Sequence, residues 1–236
     1  MVDVIDILRT KTPDFHGTDD DPKNWKSQWT VLEFLAKTVQ PGMTTLETGC
    51  GYSTVVFAAS GARHSTVTPS TDEPERVQAF CKSSGIDHSG IEFVIGRSCD
   101  KLPGLSGDLN LVYIDGAHGF PHPCVDWMYT ETRLRVGGFM LVDDIRIPTC
   151  RILHDFLKEE SNWRLQQFIG DTSIFEKIKP SPNAEMWMAQ TYNRNYPDFT
   201  FLSPWTRGLH WTTERLKAGV RMIGMEEHAK RLFGRR

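Results

Sequence analysis

A glutamate, two glycines one residue apart and a serine fall together in Glu47-Thr48-Gly49-Cys50-Gly51-Tyr52-Ser53-Thr54. Glycine lets the chain turn tightly and lets a ligand approach the backbone closely. A pyrophosphate-binding turn wants a third glycine three residues after the second, and here that place holds Thr54. An acid directly ahead of the turn, Glu47, suits a ligand that carries an ammonium and no phosphate. The free N–H groups of a helix beginning near Ser53 suit a carboxylate on the same ligand. Both charges are those of the amino-acid end of methionine.

A second set of residues lies further along the chain. Asp115 closes the apolar run LNLVYID, and Asp143-Asp144 close FMLVDDI. Ligands of open α/β sheets bind beyond the carboxyl ends of strands, and adjacent strands run only about 4.8 Å apart. Three carboxylates converging there repel one another unless a cation neutralises them, and an all-oxygen set suits Mg²⁺. Such an ion would acidify a hydroxyl on an acceptor molecule. His118, in Gly116-Ala117-His118-Gly119, is a candidate general base because imidazole titrates near neutral pH. Bland alternatives stand beside these: Asp143 or Asp144 as cap of the helix after Pro148, Asp115 ordering its own loop, His118 bonding nearby backbone. His118 and His122 are not a zinc pair, since Pro121 between them breaks any shared helical face.

Elements that would position these residues follow from periodicity. TTLE, HSTVT, IEFVIG, LNLVYID and FMLVDDI are short apolar strands alternating with helical patterns, the rhythm of a parallel sheet. A helix over SQWTVLEFLAKTV takes Ser27 as N-cap, and a helix over PCVDWMYTETRLRV is closed by Gly137-Gly138. WRLQQFIGDTSIFEKI gives two alternating strands around Gly170-Asp171, hence an antiparallel hairpin. The expectation is a doubly wound, Rossmann-like α/β fold with seven strands, mostly parallel and ending in that hairpin. Residues 1–26 are expected to form an arm or lid, 27–179 the ligand-binding domain, and 180–236 an appendage rich in aromatics with a basic tail, through which the chain would form a homo-oligomer.

Composition narrows the partners. With 39% hydrophobic and 24% charged residues the chain fits an ordinary globular domain, and a formal net charge of −3 gives no footprint for nucleic acid or an anionic membrane. Five scattered cysteines without a Cys-x-x-Cys pair favour a reducing, cytoplasmic setting over a disulfide framework. No run of about 18 apolar residues suggests a membrane span.

LETGCGYST resembles the first motif of the class I S-adenosylmethionine-dependent methyltransferases, an acid followed by a Gly-x-Gly turn, and the resemblance extends from about Ser27 to Ile178. Within that superfamily, YIDGAHGFP followed by VGGFMLVDD is similar to the macrocin-type and related small-molecule O-methyltransferases. The resemblance implies S-adenosylmethionine as cofactor, held by Glu47, Gly49, Gly51, Tyr52, Ser53, Thr68, Ser98 and Asp115. It implies a small-molecule acceptor, with Asp115 and His118 as catalytic residues and Mg²⁺ on Asp115, Asp143 and Asp144. Ser98 would meet adenine, or else cap a helix. One departure concerns the ribose: where the family often ends its second strand with an acid, HSTVTPSTDE offers Thr68, Pro69 and Ser70, with acids only at Asp72 and Glu73. Two other functions compete. A nicotinamide-dependent oxidoreductase shares the topology, although Thr54 and the missing acid speak against it; a non-catalytic cofactor-binding subunit would lack a productive acceptor cleft.

Overall fold

The structure is a computed structural model and describes residues 3–18, 21–22, 25–182, 186–195, 200–209 and 212. Helix α1 (Val4–Lys11) and a two-stranded ribbon, β1 (Gly17–Thr18) and β2 (Asp21–Pro22), precede helix α2 (Trp29–Thr38). Strand–helix units follow: β3 (Thr44–Thr48) with α3 (Tyr52–Ala59), β4 (Arg63–Thr68) with α4 (Asp72–Ser83), and β5 (Ile91–Ile95) with the short α5 (Ser98–Lys101). Next come β6 (Leu109–Ile114) with α6 (His122–Thr130), and β7 (Leu134–Val142) with α7 (Pro148–Glu159). The hairpin β8 (Trp163–Ile169) and β9 (Thr172–Lys177) ends the sheet, and α8 spans Thr191–Asn195.

The sheet has seven strands in the order β5-β4-β3-β6-β7-β9-β8. Strands β3 to β7 pair in parallel, whereas β9 is antiparallel to both β7 and β8. The chain winds outward from β3 to β5 and then returns to lay β6 on the other side of β3. This reversal opens a crevice at the carboxyl ends of β3 and β6, where such sheets bind ligands. Side chains alternate across the sheet as the pleat requires. Leu111 and Tyr113 of β6 join one core with α2 and α3, while Val112 and Ile114 join the other with Leu153 and Leu157 of α7.

Four expectations are corrected. First, the opening residues are not a detached arm: Val4, Ile5, Leu8 and Phe15 are buried in the core, and Phe15 meets Tyr52 and Phe80 edge-on at 5.3 and 5.5 Å. Second, the compact unit runs Met1–Tyr192, and the second unit Asn193–Arg236. Within the second, residues 204–209 are helical; most of the appendage from residue 180, expected to carry self-association, lies outside the described residues. Third, α2 is capped at Gln28 without a side-chain bond, because the Ser27 hydroxyl is engaged elsewhere. Fourth, α6 stops at Thr130, and Gly137-Gly138 run inside β7. A Cβ on Gly138 would stand 2.9 Å from the Asn110 carbonyl oxygen, where the β6–β7 register shifts, so close strand approach and not a helix stop calls for glycine there. Among the described residues no helix is long and apolar enough to cross a membrane.

Burial of α1 is testable. Leu8→Ala should cost about 2–4 kcal/mol in urea denaturation, as truncation of a fully buried leucine does. A loose arm would leave stability unchanged.

Candidate active site

The glycine turn is built on a buried carboxylate. Glu47, the penultimate residue of β3, is 1% exposed. One of its oxygens accepts the Ser53 hydroxyl at 2.6 Å. The other accepts the Thr54 hydroxyl and the Nε2–H of His64, the latter at 3.1 Å. With Nε2 donating, His64 Nδ1 is left to accept from the Thr45 hydroxyl at 2.8 Å, and the ring stacks on Phe57 at 4.0 Å. Thr54 Oγ1 also accepts the Gly51 N–H at 2.9 Å. Thr54, standing where a dinucleotide turn would have its third glycine, thus ties the turn to Glu47. Glu47 lies beneath the cavity and does not line it, and three of its lone pairs serve the protein.

The two glycines are required for different reasons. Gly49 has φ +101°, and a Cβ on it would stand 2.5 Å from the Asp115 carbonyl oxygen. Gly51 has extended backbone, φ 169°, open to any residue. What excludes a side chain there is His16, whose Nε2 lies 2.8 Å from the Cβ position. The space expected to belong to a ligand is held by the imidazole.

Beyond the strand ends lies a cavity of about 760 Å³. One side is lined by Thr48, Gly49, Gly51, Tyr52, Ser53, Thr68, Ser70 and Ser98, together with Glu73 and His16. Tyr52 donates its hydroxyl to the Pro13 carbonyl at 2.7 Å, fastening the opening segment to α3. Thr68 donates to Glu73 Oε2 at 2.8 Å, and the other Glu73 oxygen meets His16 Nδ1 at 2.9 Å. The acid absent from the end of β4 is therefore supplied by the first turn of α4. Glu73 was visible in the sequence only as one of two candidates; His16, 57 positions away, gave no signal. Ser98 is the first residue of α5 and not its cap. Behind it Asp126 is fully buried, and burial lifts its pKa.

The opposite side of the cavity is lined by Trp25, Lys26, Ser27, Gln28, Asp115, Gly116, His118, Asp143, Asp144, Arg146 and Asp171. The Ser27 hydroxyl donates to Asp115 at 3.2 Å. Asp143 accepts the Tyr113 hydroxyl at 3.0 Å on one oxygen and the Thr172 hydroxyl on the other. Burial, and then the neighbouring charge of Asp143, push the Asp115 carboxyl well above the usual carboxylate range. The same causes, burial first, raise Asp144, against the pull of His118. Asp144 has φ +51° and meets His118 Nε2 at 3.2 Å, while His118 Nδ1 faces Cys150 Sγ at 3.6 Å.

Asp115, Asp143 and Asp144 do line one cavity, but not as a metal cage. Among the described residues no three His, Cys, Asp or Glu side chains are grouped to hold an ion. Both Asp143 oxygens accept protein hydroxyls, Asp115 accepts Ser27, and Asp144 turns to His118. The expected Mg²⁺ site does not fit this arrangement. Nor does either aspartate cap α7, whose N-cap is Ile147.

A doubly wound sheet with a glycine turn at its reversal and the antiparallel strand β9 between β7 and β8 defines the class I methyltransferase fold. Residues 46–145 match the family model described as a methyltransferase domain. That stretch carries a methyltransferase domain, and the chain has the class I methyltransferase fold. Among solved structures it is similar to the O-methyltransferase TomG from Streptomyces achromogenes, involved in tomaymycin synthesis and solved with S-adenosylmethionine: 18% identity over 76% of this chain and 91% of that one, TM-score 0.54. Cofactor-bound Rv0187 from MTB gives 17% over 75% and 88%, TM-score 0.57. The S-adenosylhomocysteine-bound methyltransferase PaMTH1 from Podospora anserina gives 16% over 76% and 89%, TM-score 0.56. At such identity the likeness is one of fold. No curated protein matches the chain.

Two substitutions test the site's energetics. Glu47→Gln should lower stability to chemical denaturation by about 1–3 kcal/mol, because it replaces an acceptor of three bonds by a group that also brings donors. Asp115 has a folded pKa above its unfolded value, so its ionisation opposes folding, and stability falls as pH rises from the unfolded pKa through the folded one. Asp115→Asn should therefore melt above the wild type near neutral pH, with the gap closing below about pH 4.

Proposed function

We propose that this methyltransferase acts on a hydroxyl oxygen of a small molecule, with Asp115 as general base. The observation that carries this is a carboxyl of raised pKa that shares one cavity with the glycine turn. Bound S-adenosylmethionine would supply a methyl already activated on a sulfonium, so no covalent intermediate with the protein is needed. The turn from Gly49 to Ser53 would hold its amino-acid end, Glu73 and Thr68 its ribose, and Ser98 its adenine. The acceptor would lie between Trp25–Gln28 and the loops carrying Asp115, His118 and Arg146.

Asp115 takes the acceptor's hydroxyl proton, and the freed oxygen pair forms the bond to the methyl carbon as the carbon–sulfur pair returns to sulfur. A carboxylate with a raised pKa is a stronger base than an ordinary one, and a pKa near working pH serves proton transfer best. Ser27 orients it, and Asp143, held by Tyr113 and Thr172, stands beside it. His118 becomes a positioning residue in this scheme, since Asp144 takes one ring nitrogen and the Cys150 thiol faces the other. Mg²⁺ assistance forms no part of the proposal. TomG's description as an O-methyltransferase in a biosynthetic route supports oxygen and a small molecule by likeness of fold. The five free cysteines suit a cytoplasmic setting.

Calorimetry with S-adenosylmethionine, S-adenosylhomocysteine and NAD, each with and without Mg²⁺, should give heat for the first two only, unchanged by the ion. No binding of S-adenosylmethionine would sink the proposal. Against a panel of phenolic and alcoholic acceptors, Asp115→Asn should lose about 10²–10⁴-fold in kcat, with S-adenosylhomocysteine affinity kept within about threefold. The wild-type rate should climb with pH through a group titrating above the ordinary carboxylate range, and EDTA should leave it unchanged. A rate abolished by EDTA and restored by Mg²⁺ would return the carboxylates to a metal.

A further inference from the structure

His16 is the one cavity-lining side chain contributed by the segment between α1 and β1. Its placement is fixed on several sides. Phe15 is buried against Tyr52 and Phe80. Tyr52 holds the Pro13 carbonyl, Asp14 accepts the His16 N–H at 3.1 Å, and Arg76 of α4 donates to the Gly17 carbonyl at 2.8 Å. The ring is 9% exposed. Its Nδ1 is taken by Glu73, while its Nε2 lies over Gly51 and has no hydrogen-bonding partner among the described residues. An imidazole held by a carboxylate on one nitrogen and left open into a cavity on the other is arranged to bind something.

We propose that His16 is a cofactor-binding residue, oriented by Glu73 and presenting Nε2 to a hydrogen-bond donor of the cofactor as it crosses Gly51. This rests on the cofactor site proposed above. The charge logic sets the direction. In the tautomer whose Nδ1–H donates to Glu73, Nε2 carries the ring's free lone pair. The cofactor carries two kinds of donor that could meet it, the ribose hydroxyls and the methionine ammonium. The inference also explains Gly51: a side chain there would displace the imidazole before it reached the ligand.

The test is calorimetry on the full chain with S-adenosylhomocysteine, adenosine and L-methionine, alongside thermal melts without ligand. His16→Ala should weaken S-adenosylhomocysteine about 10-fold, the equivalent of one hydrogen bond. The amide variants separate contact from scaffold, because a glutamine amide reaches the place of Nε2 and an asparagine amide that of Nδ1. His16→Gln should bind S-adenosylhomocysteine more tightly than His16→Asn. The reverse order, or His16→Ala with wild-type affinity, overturns the proposal. The Gln and Asn pair decides the matter alone if the alanine variant does not fold. A loss carried over to adenosine supports contact with the ribose, and one carried over to L-methionine supports contact with the ammonium; a loss in neither overturns direct contact. Wild type that binds no S-adenosylhomocysteine removes the cofactor site itself, an outcome distinct from an indifferent His16.

Discussion

The site hangs on the buried carboxylate of Glu47. A carboxyl group taken this far from water is tolerable only when it is hydrogen-bonded, and here two hydroxyls and an imidazole bond to it. The partners come from three places: the first turn of α3, the neighbouring strand β4 and, through His64, the floor of β3. A single residue therefore locks the end of one strand to the start of the next helix, and the glycine turn between them has no freedom left. The N–H groups of that turn are aimed before any ligand arrives, which is what lowers the cost of binding one.

The opposite wall follows another rule. Asp115 and Asp143 sit side by side under the acceptor half of the cavity, and burial with mutual repulsion makes the folded state carry an unfavourable charge. Tyr113, Ser27 and Thr172 relieve part of it without removing it. Tyr113 itself resists ionisation for the same reasons, burial first, and so remains a donor across the working range. One wall of the cavity is thus built on a carboxylate met by three donors, and the other on two crowded carboxyls.

Much of the fold was legible because its signals are local. The period-two runs of β3, β4, β6 and β9 and the Gly170-Asp171 turn each declare themselves within ten residues. Gly49 and Gly51 line the cavity where their spacing put them, yet the crowding at Gly51 comes from His16, which is sequence-remote. Ser27 reads as a cap because serine often is one; its partner Asp115 lies 88 positions on and outweighs local preference. Gly137-Gly138 reads as a helix stop because glycine there has the same local look as glycine where strands crowd. Glu73 was not singled out because it belongs to a helix and reaches back to β4 through Thr68. The carboxylates were read as a metal set from their number and position, and only the hydroxyls of Tyr113 and Thr172 show their lone pairs already engaged.

The opening segment has a bearing on how the chain reaches its native state. His16 meets Glu73 across 57 positions, Ser27 meets Asp115 across 88, and Gln28 meets Asp171 across 143. Contacts of such range form late, because a long loop must close before any of them is rewarded. The walls around the cavity join the first thirty residues to strand ends and turns as far along as the β8–β9 hairpin. Phe15 and α1 have no core to cover them until α3 and α4 have formed. The cavity is then a property of the finished chain, complete only when its most distant contacts have closed.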